Sequence, residues 1–518
     1  MSTTSAPSNA SAGRATPTGG PSIAIVGAGF GGIGMAIRLK QAGFGDLAIF
    51  DRAAGVGGVW RDNTYPGAAC DVPSPLYSYS FAPNQEWPNR YSEQPAILDY
   101  IESCVDRFGL RPHLRLNATV ERVAFDETVG RWRLEVDGRV HEADVLIPAC
   151  GQLSEPAYPS IEGIERFTGE AFHSARWDHD VDLRGKRVAV VGSGASAIQF
   201  VPRIAPDVEQ LTVYQRSAPY IIPRMQTAYT ARHHRIFRML PWIQRAERFG
   251  WFAFGEIGTA GMVKGEWITA PFKQLALAYL KRKVADPELR RILTPNYAFG
   301  CKRVLFSENY YDAMVRPNVE VIPRSVREVT ATGLVDADGV ERPADAIIYG
   351  TGFRTKDFVA PMEVRGLGGR ELNEAWASGE RAHLGVTVSG FPNMFLTYGP
   401  NTNLGAGSII YMIESQANYV IDALQRLSAR GGGYLDVREE ALDAFDREVQ
   451  TRLSGTVWQT GCHSWYVDEH GRNANNWPAQ VVEYRRRTRQ IDPDDYRFVA
   501  PNPGPAAAER ALAGATGD

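Results

Sequence analysis

The stretch "SIAIVGAGFGGIGMAIRLKQAGFGDLAIFD", Ser22 to Asp51, restricts the fold more than any other part of the chain. An apolar run leads into a Gly-rich turn, then a segment with apolar residues at helical spacing (Ile33, Ala36, Ile37), then a second apolar run. Gly43 stands where that helix should end. The glycines fall in G-x-G-x-x-G register: Gly27 for the turn, Gly29 for backbone approach to a pyrophosphate, Gly32 for packing of helix on strand. Asp51 closes the second strand 24 residues after Gly27, where a carboxylate can bind a ribose hydroxyl. Strand, helix and acid in register with the glycines specify a βαβ dinucleotide-binding unit.

The pattern returns at "RVAVVGSGASAIQFVPRI", with Gly192, Gly194 and Ala197 in the three glycine places and Ser196 in the same turn. The strand after this helix ends in Gln215-Arg216-Ser217, not in an acid. An acid there would repel a 2′-phosphate, whereas an arginine forks onto it. The second site therefore reads as one for NADPH, and the first as one for FAD or NAD. Each is followed by a hairpin pattern feeding a buried strand, "WRLEVDGRVHEADVLIPACG" and "GLVDADGVERPADAIIYGTGF". The expected fold is α/β, with two Rossmann-like dinucleotide-binding domains.

With 518 residues the chain exceeds one ordinary core, and its net charge of −3 offers no basic excess for nucleic acid. Five scattered cysteines (Cys70, Cys104, Cys150, Cys301, Cys462), never in CxxC spacing, argue against a disulfide framework, a zinc site or a dithiol pair, so no metal is expected. Neither a leader pattern nor a run of about 18 apolar residues occurs, which makes the cytoplasm the expected location. Residues 225–295 are helical in pattern, with basic and aromatic residues interleaved; a cap over the site is preferred to a membrane-surface helix. "GFPNMFLTYGPNTNLGAGSIIYMIESQANYVIDALQRL" reads as a strand, a Gly-rich turn and a long helix returning to the first domain.

Two longer motifs add a resemblance. "FTGEAFHSARWD" fits F-x-G-x-x-x-H-x-x-x-W-[P/D] at Phe167, Gly169, His173, Trp177 and Asp178. "GGVWRDNTYPGAACD", Gly57 to Asp71, fits G-G-x-W-x-x-x-x-Y-P-G-x-x-x-D. With the two fingerprints and the insertion in the same order, residues 20–495 resemble the type I Baeyer–Villiger monooxygenases. The resemblance implies FAD and NADPH as cofactors and a ketone and O2 as partners. No nucleic acid and no obligatory protein partner are expected, and peripheral membrane contact is disfavoured. The resemblance divides the chain into an FAD domain (21–152 and 389–498) and an NADPH domain (153–222 and 301–388) with a helical insertion (223–300). Residues 1–20 and 499–518, rich in small and polar residues, are expected to be disordered tails.

In that family NADPH reduces FAD, reduced flavin and O2 give a C4a-peroxyflavin, and this attacks a ketone; the tetrahedral adduct rearranges to an ester or lactone. A fixed cation must stand beside the charge that develops. By resemblance "FGCKRVLFSENYY" supplies it as Arg303, oriented by Asp71, while Lys302 joins Arg216 and Ser217 on the NADPH 2′-phosphate. Gly58 and Trp60 are implied near the flavin, and Trp465 near NADP. The Phe167–Asp178 stretch is expected to be a conformational linker: Gly169 in a tight turn, His173 bonding backbone, Trp177 wedged between domains. The Arg303/Asp71 pair argues against an N- or S-oxygenating flavin-containing monooxygenase, with sulfide oxidation kept as a side activity. Lack of a CxxxxC dithiol argues against a flavin disulfide reductase, and the full set of Gly, Asp, Arg and Trp residues against a non-catalytic binding protein. Trp242, Trp251, Phe252 and Phe254 hint at an apolar substrate.

Overall fold

In the computed structural model, which describes residues 20–461, 464–468 and 470–501, each fingerprint opens on a central strand of a parallel sheet. Ile23–Val26 lies between Leu47–Phe50 and Val145–Pro148, with Leu114–Arg115 outside. Arg187–Val191 lies between Gln210–Tyr214 and Ala346–Tyr349, with Val319–Ile322 and Glu170–His173 at the edges. The central strands are almost entirely buried and apolar, as strands covered on both faces must be.

The two glycine turns have the same steric cause. Gly27 has φ 112°, and a Cβ there would sit 2.4 Å from the Ala149 carbonyl oxygen. Gly192 has φ 116°, and its Cβ would sit 2.4 Å from the Gly350 carbonyl oxygen. In both, the turn is pressed against the end of the neighbouring parallel strand, so a left-handed conformation and lack of a side chain are required together.

The first hairpin, Arg131–Val136 with Arg139–Ala143, turns at Asp137-Gly138, both with positive φ (47° and 74°), the Asp-Gly pair a type I′ turn favours. It forms a separate sheet with Val120–Asp126 and Glu363–Arg365. The expected strand in "NMFLTY" is not regular. Leu146 N donates to Asn393 O (3.1 Å), and Phe395 N and Thr397 N donate to Leu146 O and Pro148 O (2.9 Å each). Left-handed Asn393 (φ 52°) and Tyr398 (φ 61°) bracket the segment, which leaves one isolated bridge, Leu146 to Met394. The helix Ile409–Ala429 then runs back onto Phe30–Gln41, where Arg38 donates to Asn418 (3.1 Å).

Between the halves of the second sheet rise the helices Ala231–Met239, Pro241–Lys264, Glu266–Lys283 and Pro287–Ile292. Their base is a two-residue parallel ladder, Ile221–Ile222 with Leu305–Phe306. Two readings change here. Val499 ends a strand, Tyr496–Val499, paired with Tyr434–Val437, so the ordered chain runs into the expected tail; most of both tails lies outside the described residues. Cys301 is disulfide-bonded, while Cys70, Cys104 and Cys150 are free and Cys462 lies outside the described residues. Every other cysteine is remote from Cys301 in sequence, so no spacing pattern announced a bridge.

Gly192 and Gly194 separate stability from ligand binding. Gly194 has nothing within 4 Å of a Cβ, unlike Gly192. Gly192→Ala should lose about 1–3 kcal/mol in a denaturant titration and Gly194→Ala less than about 0.5 kcal/mol. Equal losses would show that the turn is not strained.

Candidate active site

The segment Gly57–Asp71 makes a different contact at almost every turn. Gly57 (φ 119°) and Gly58 (φ 54°) set it against the first nucleotide turn, where a Cβ on Gly29 would lie 3.6 Å from the Gly58 Cα. Trp60 follows on the short helix Val59–Asp62 and donates to the Tyr77 hydroxyl (3.0 Å). Asp51 accepts from the Ala28 and Ala53 amides (2.8 and 2.9 Å) and from Arg61 (3.2 Å), which fixes its carboxylate beside the same turn.

The second half of the segment crosses to the other nucleotide unit. The Tyr65 hydroxyl donates to Gln199 Oε1 (3.0 Å), and Gln199 Nε2 donates to the Ala69 carbonyl (2.9 Å). Gly67 lies so close to helix Ala197–Ile204 that a Cβ would stand 3.0 Å from the Gln199 carbonyl oxygen. The Tyr65 ring meets Phe200 at 6.1 Å, and Phe200 meets Trp177 at 5.3 Å.

At its end Asp71 accepts twice from Arg303, from Nε at 2.9 Å and from a terminal nitrogen at 2.8 Å. Burial pushes the Asp71 carboxyl up, but the Arg303 charge and hydrogen bonds, aided by Arg224, more than offset it and hold it below the usual carboxylate range. Asp71 in turn raises Arg303, so the guanidinium is a permanent cation. Arg224, which the sequence reading missed, donates to the Cys70 and Tyr91 carbonyls (3.1 and 3.2 Å).

Asp71 and Arg303 line two cavities at once. The larger, about 410 Å³, is also lined by the predicted residues Gly27, Gly29, Asp51, Gly58, Trp60 and Trp465. Thr397 Oγ1 and Gln152 Oε1, in residues lining the same cavity, are buried without hydrogen-bond partners, which fits a ligand with polar edges. Tyr398, beside Thr397, is held left-handed and donates to Asn403 (2.9 Å). The smaller cavity, about 100 Å³, is walled by Leu76, Trp251, Phe254, Met262, Phe272 and Phe299. Of the other aromatic residues singled out, Trp242 is exposed and Phe252 stacks on Tyr411 (4.8 Å).

Gly192, Gly194 and Ser196, the N-cap of Ala197–Ile204, form the second turn and do not line the larger cavity. Lys302 Nζ donates to Ser217 Oγ (2.8 Å) and lies 4.7 Å from the Tyr297 ring centre. Burial lowers the Lys302 ammonium pKa, and repulsion from exposed Arg216 lowers it further. Two cations set against each other favour an anion between them.

The Phe167–Asp178 stretch differs from a plain connector. Glu170–His173 is an edge strand of the second sheet, with His173 opposite Tyr349. Gly169 sits at a bend, and a Cβ there would lie 2.5 Å from the Asp345 carbonyl and 2.8 Å from the Phe167 ring, so closeness is a further demand on it. Phe167 packs against the buried cluster that includes Val329, Leu334, Ile347 and Tyr349. Trp177 packs on Phe200 and on Phe172 (5.2 Å), and Asp178 accepts from the Asp180 amide (3.0 Å) in an exposed turn. His173 is fully buried, accepts from the Ala175 amide (3.1 Å) within the segment and also meets the Gly352 backbone outside it. Its Nε2 lacks a well-formed partner.

The family model "Pyridine nucleotide-disulphide oxidoreductase" matches residues 24–232. A "Baeyer-Villiger monooxygenase" of Streptomyces coelicolor is 45% identical over 493 residues, covering 95% of each chain. One of Pseudomonas aeruginosa is 43% identical over 479 residues, covering 92% of this chain and 91% of the relative. Among solved structures, an oxidized steroid monooxygenase bound to NADP aligns with TM-score 0.82 and 31% identity, over 92% of this chain and 99% of the other.

The buried His173 makes the fold acid-sensitive. Burial pushes its pKa down to about 4 from 6.5, with the Gly352 backbone acting weakly the other way. Between those values the unfolded chain binds the proton and the folded one does not, so stability falls as pH drops through this window; above it the effect vanishes. His173→Gln should therefore lose about 2–3 kcal/mol less than the parent between pH 7 and pH 4 in denaturant titrations. Parallel losses would show that the ring is protonated in the fold.

Proposed function

The chain belongs to the type I Baeyer–Villiger monooxygenases, and on that premise we propose that it uses FAD, NADPH and O2 to insert one oxygen atom beside the carbonyl of a ketone, giving an ester or lactone. The observation that carries this reading is the Arg303–Asp71 pair standing in the wall between a large cavity with unpaired polar atoms and a small apolar one. FAD, when bound in the larger cavity, supplies the activation of O2.

The residues of the chain do the rest by position. Gly27, Gly29 and Gly58 let a pyrophosphate approach the backbone, and Asp51 faces a ribose. Trp60 and Trp465 both line the cavity and would hold the flavin and the nicotinamide nucleotide respectively. Arg216, Ser217 and Lys302 would hold the 2′-phosphate of NADPH, and the turn of Gly192, Gly194 and Ser196 would receive its pyrophosphate. Arg303 stabilises negative charge as it grows on the ketone oxygen. It transfers no proton, because its guanidinium stays charged against Asp71. Asp71 holds the fork in one plane, and the aromatic wall keeps water from the carbonyl. The same apolar pocket admits sulfides, whose oxidation is expected as a side activity.

Two variants test the assignments. Arg303→Ala should still be reduced by NADPH within a fewfold of the parent rate, with ester formation down about 10²–10³-fold. Because it leaves Asp71 without its partner, Arg303→Lys serves as the folded control, retaining charge and part of the activity. Normal ketone oxygenation by Arg303→Ala would remove the cation from the mechanism. Arg216→Ala should raise the KM for NADPH by about tenfold or more while leaving that for NADH nearly constant. An unchanged ratio would move phosphate recognition to other residues.

A further inference from the structure

The insertion presents an apolar face that no part of the described chain covers. On helix Pro241–Lys264 the exposed positions Trp242, Ala246, Phe249, Gly250, Phe254 and Ile257 recur at steps of three and four, which places them on one side. Trp242 is 63% exposed and Phe249 68%. The helix Glu266–Lys283, joined through Gly265 and packed on its neighbour through Phe254 and Phe272 (5.5 Å), adds Trp267 at 77%. Met239, just ahead, is 72% exposed. Isolated apolar residues on a surface are ordinary, whereas an aligned set with two exposed tryptophans marks a binding face.

The charge around that face identifies what it meets. Between Ala231 and Lys283 stand ten Lys/Arg against three Asp/Glu, in a chain whose net charge is −3. Glu256 is buried and accepts from the Val481 amide (2.8 Å), and Glu247 is bound by Arg90 and Tyr229, which leaves Glu266 as the exposed acid. Arg232, Arg235, Arg245, Lys264, Lys281 and Arg282 are exposed. We propose that this face docks on an anionic lipid bilayer, with its aromatic residues in the headgroup region and its basic residues on lipid phosphates. A second copy of the chain fits less well, since a two-fold contact would press two basic faces together. Among the described residues no helix is long and apolar enough to cross a membrane, so the contact is one of lying on the surface.

A third cavity supports the same occupant. It is open, about 560 Å³, and is lined by His233, Phe237, Ile243, Gly250, Trp251 and Phe254. Gly250 and Phe254 belong to the exposed stripe, and Trp251 and Phe254 also wall the pocket at Arg303. A bilayer under the stripe would therefore lie at the mouth of a route to the active site. The docking itself does not depend on the ketone reading.

The test is co-sedimentation of the FAD-loaded full chain with vesicles of phosphatidylglycerol and phosphatidylcholine in equal parts, and with phosphatidylcholine alone. Binding is expected to the anionic vesicles, weakening as salt is added. The triple variant Trp242→Ser, Phe249→Ser, Trp267→Ser should bind about tenfold or more weakly, with NADPH oxidation on a water-soluble ketone unchanged. Arg232→Gln with Arg235→Gln and Arg245→Gln should bind less and lose salt dependence. Failure of the parent protein to sediment with anionic vesicles at low salt overturns the proposal. So does self-association that the triple variant abolishes, which would make a second copy the occupant.

Discussion

The bidentate contact between Asp71 and Arg303 is the constraint on which the rest depends. It joins the end of the Gly57–Asp71 segment to the base of the insertion, and so ties the first nucleotide unit to the second. A buried ion pair contributes little net stability, because desolvation of two charges offsets most of their attraction. Its worth lies in the position it gives a charge. Arg303 can be neither neutralised nor swung aside while Asp71 holds two of its three nitrogens, and each cavity therefore meets the same fixed cation.

Closeness of backbone to backbone supplies the remaining precision. Gly169 lies nearer Asp345 than any side chain allows, Gly67 is tight against Gln199, and Gly29 stands in contact with Gly58. Aromatic rings fill the space beyond, with Tyr65, Phe200, Trp177 and Phe172 in sequence from the Gly57–Asp71 segment into the second unit. The contact between units thus combines Gln199, this ring series and the ion pair with further bonds, among them Arg203 to Glu93 and Arg224 to the Cys70 carbonyl.

Much of this was legible in the sequence, because the fingerprints combine local pattern with a steric demand. The parallel sheets, their order around the fingerprint strands and the Asp-Gly hairpin all follow from local rules. Other features depend on partners distant in sequence. Gln199 looks like any helix-surface residue until Tyr65 and Ala69 reach it, and Arg224 and the unpaired Thr397 hydroxyl are ordinary until their surroundings are known. Gly169 shows the ambiguity of glycine itself: a turn and a tight contact leave the same letter. The segment around Met394 has the composition of a strand, and two left-handed residues prevent it from becoming one. Helical periodicity in the insertion was plain, whereas which side stays uncovered is decided by packing.

The ladder of Ile221–Ile222 with Leu305–Phe306 has an evolutionary corollary. The insertion leaves and re-enters the second unit at one point, while its long helix also rests on the first unit, where Arg248 donates to the Pro75 and Ser78 carbonyls and Phe252 stacks on Tyr411. What lies inside that boundary, Lys302 and Arg303 included, is inherited with the redox apparatus. Trp251, Phe254 and Phe272 lie outside it, and selection is free to remodel them as a detachable outer half of the pocket. Diversification of substrate range in such a lineage can proceed by rebuilding one bracketed module while the oxygen chemistry stays constant.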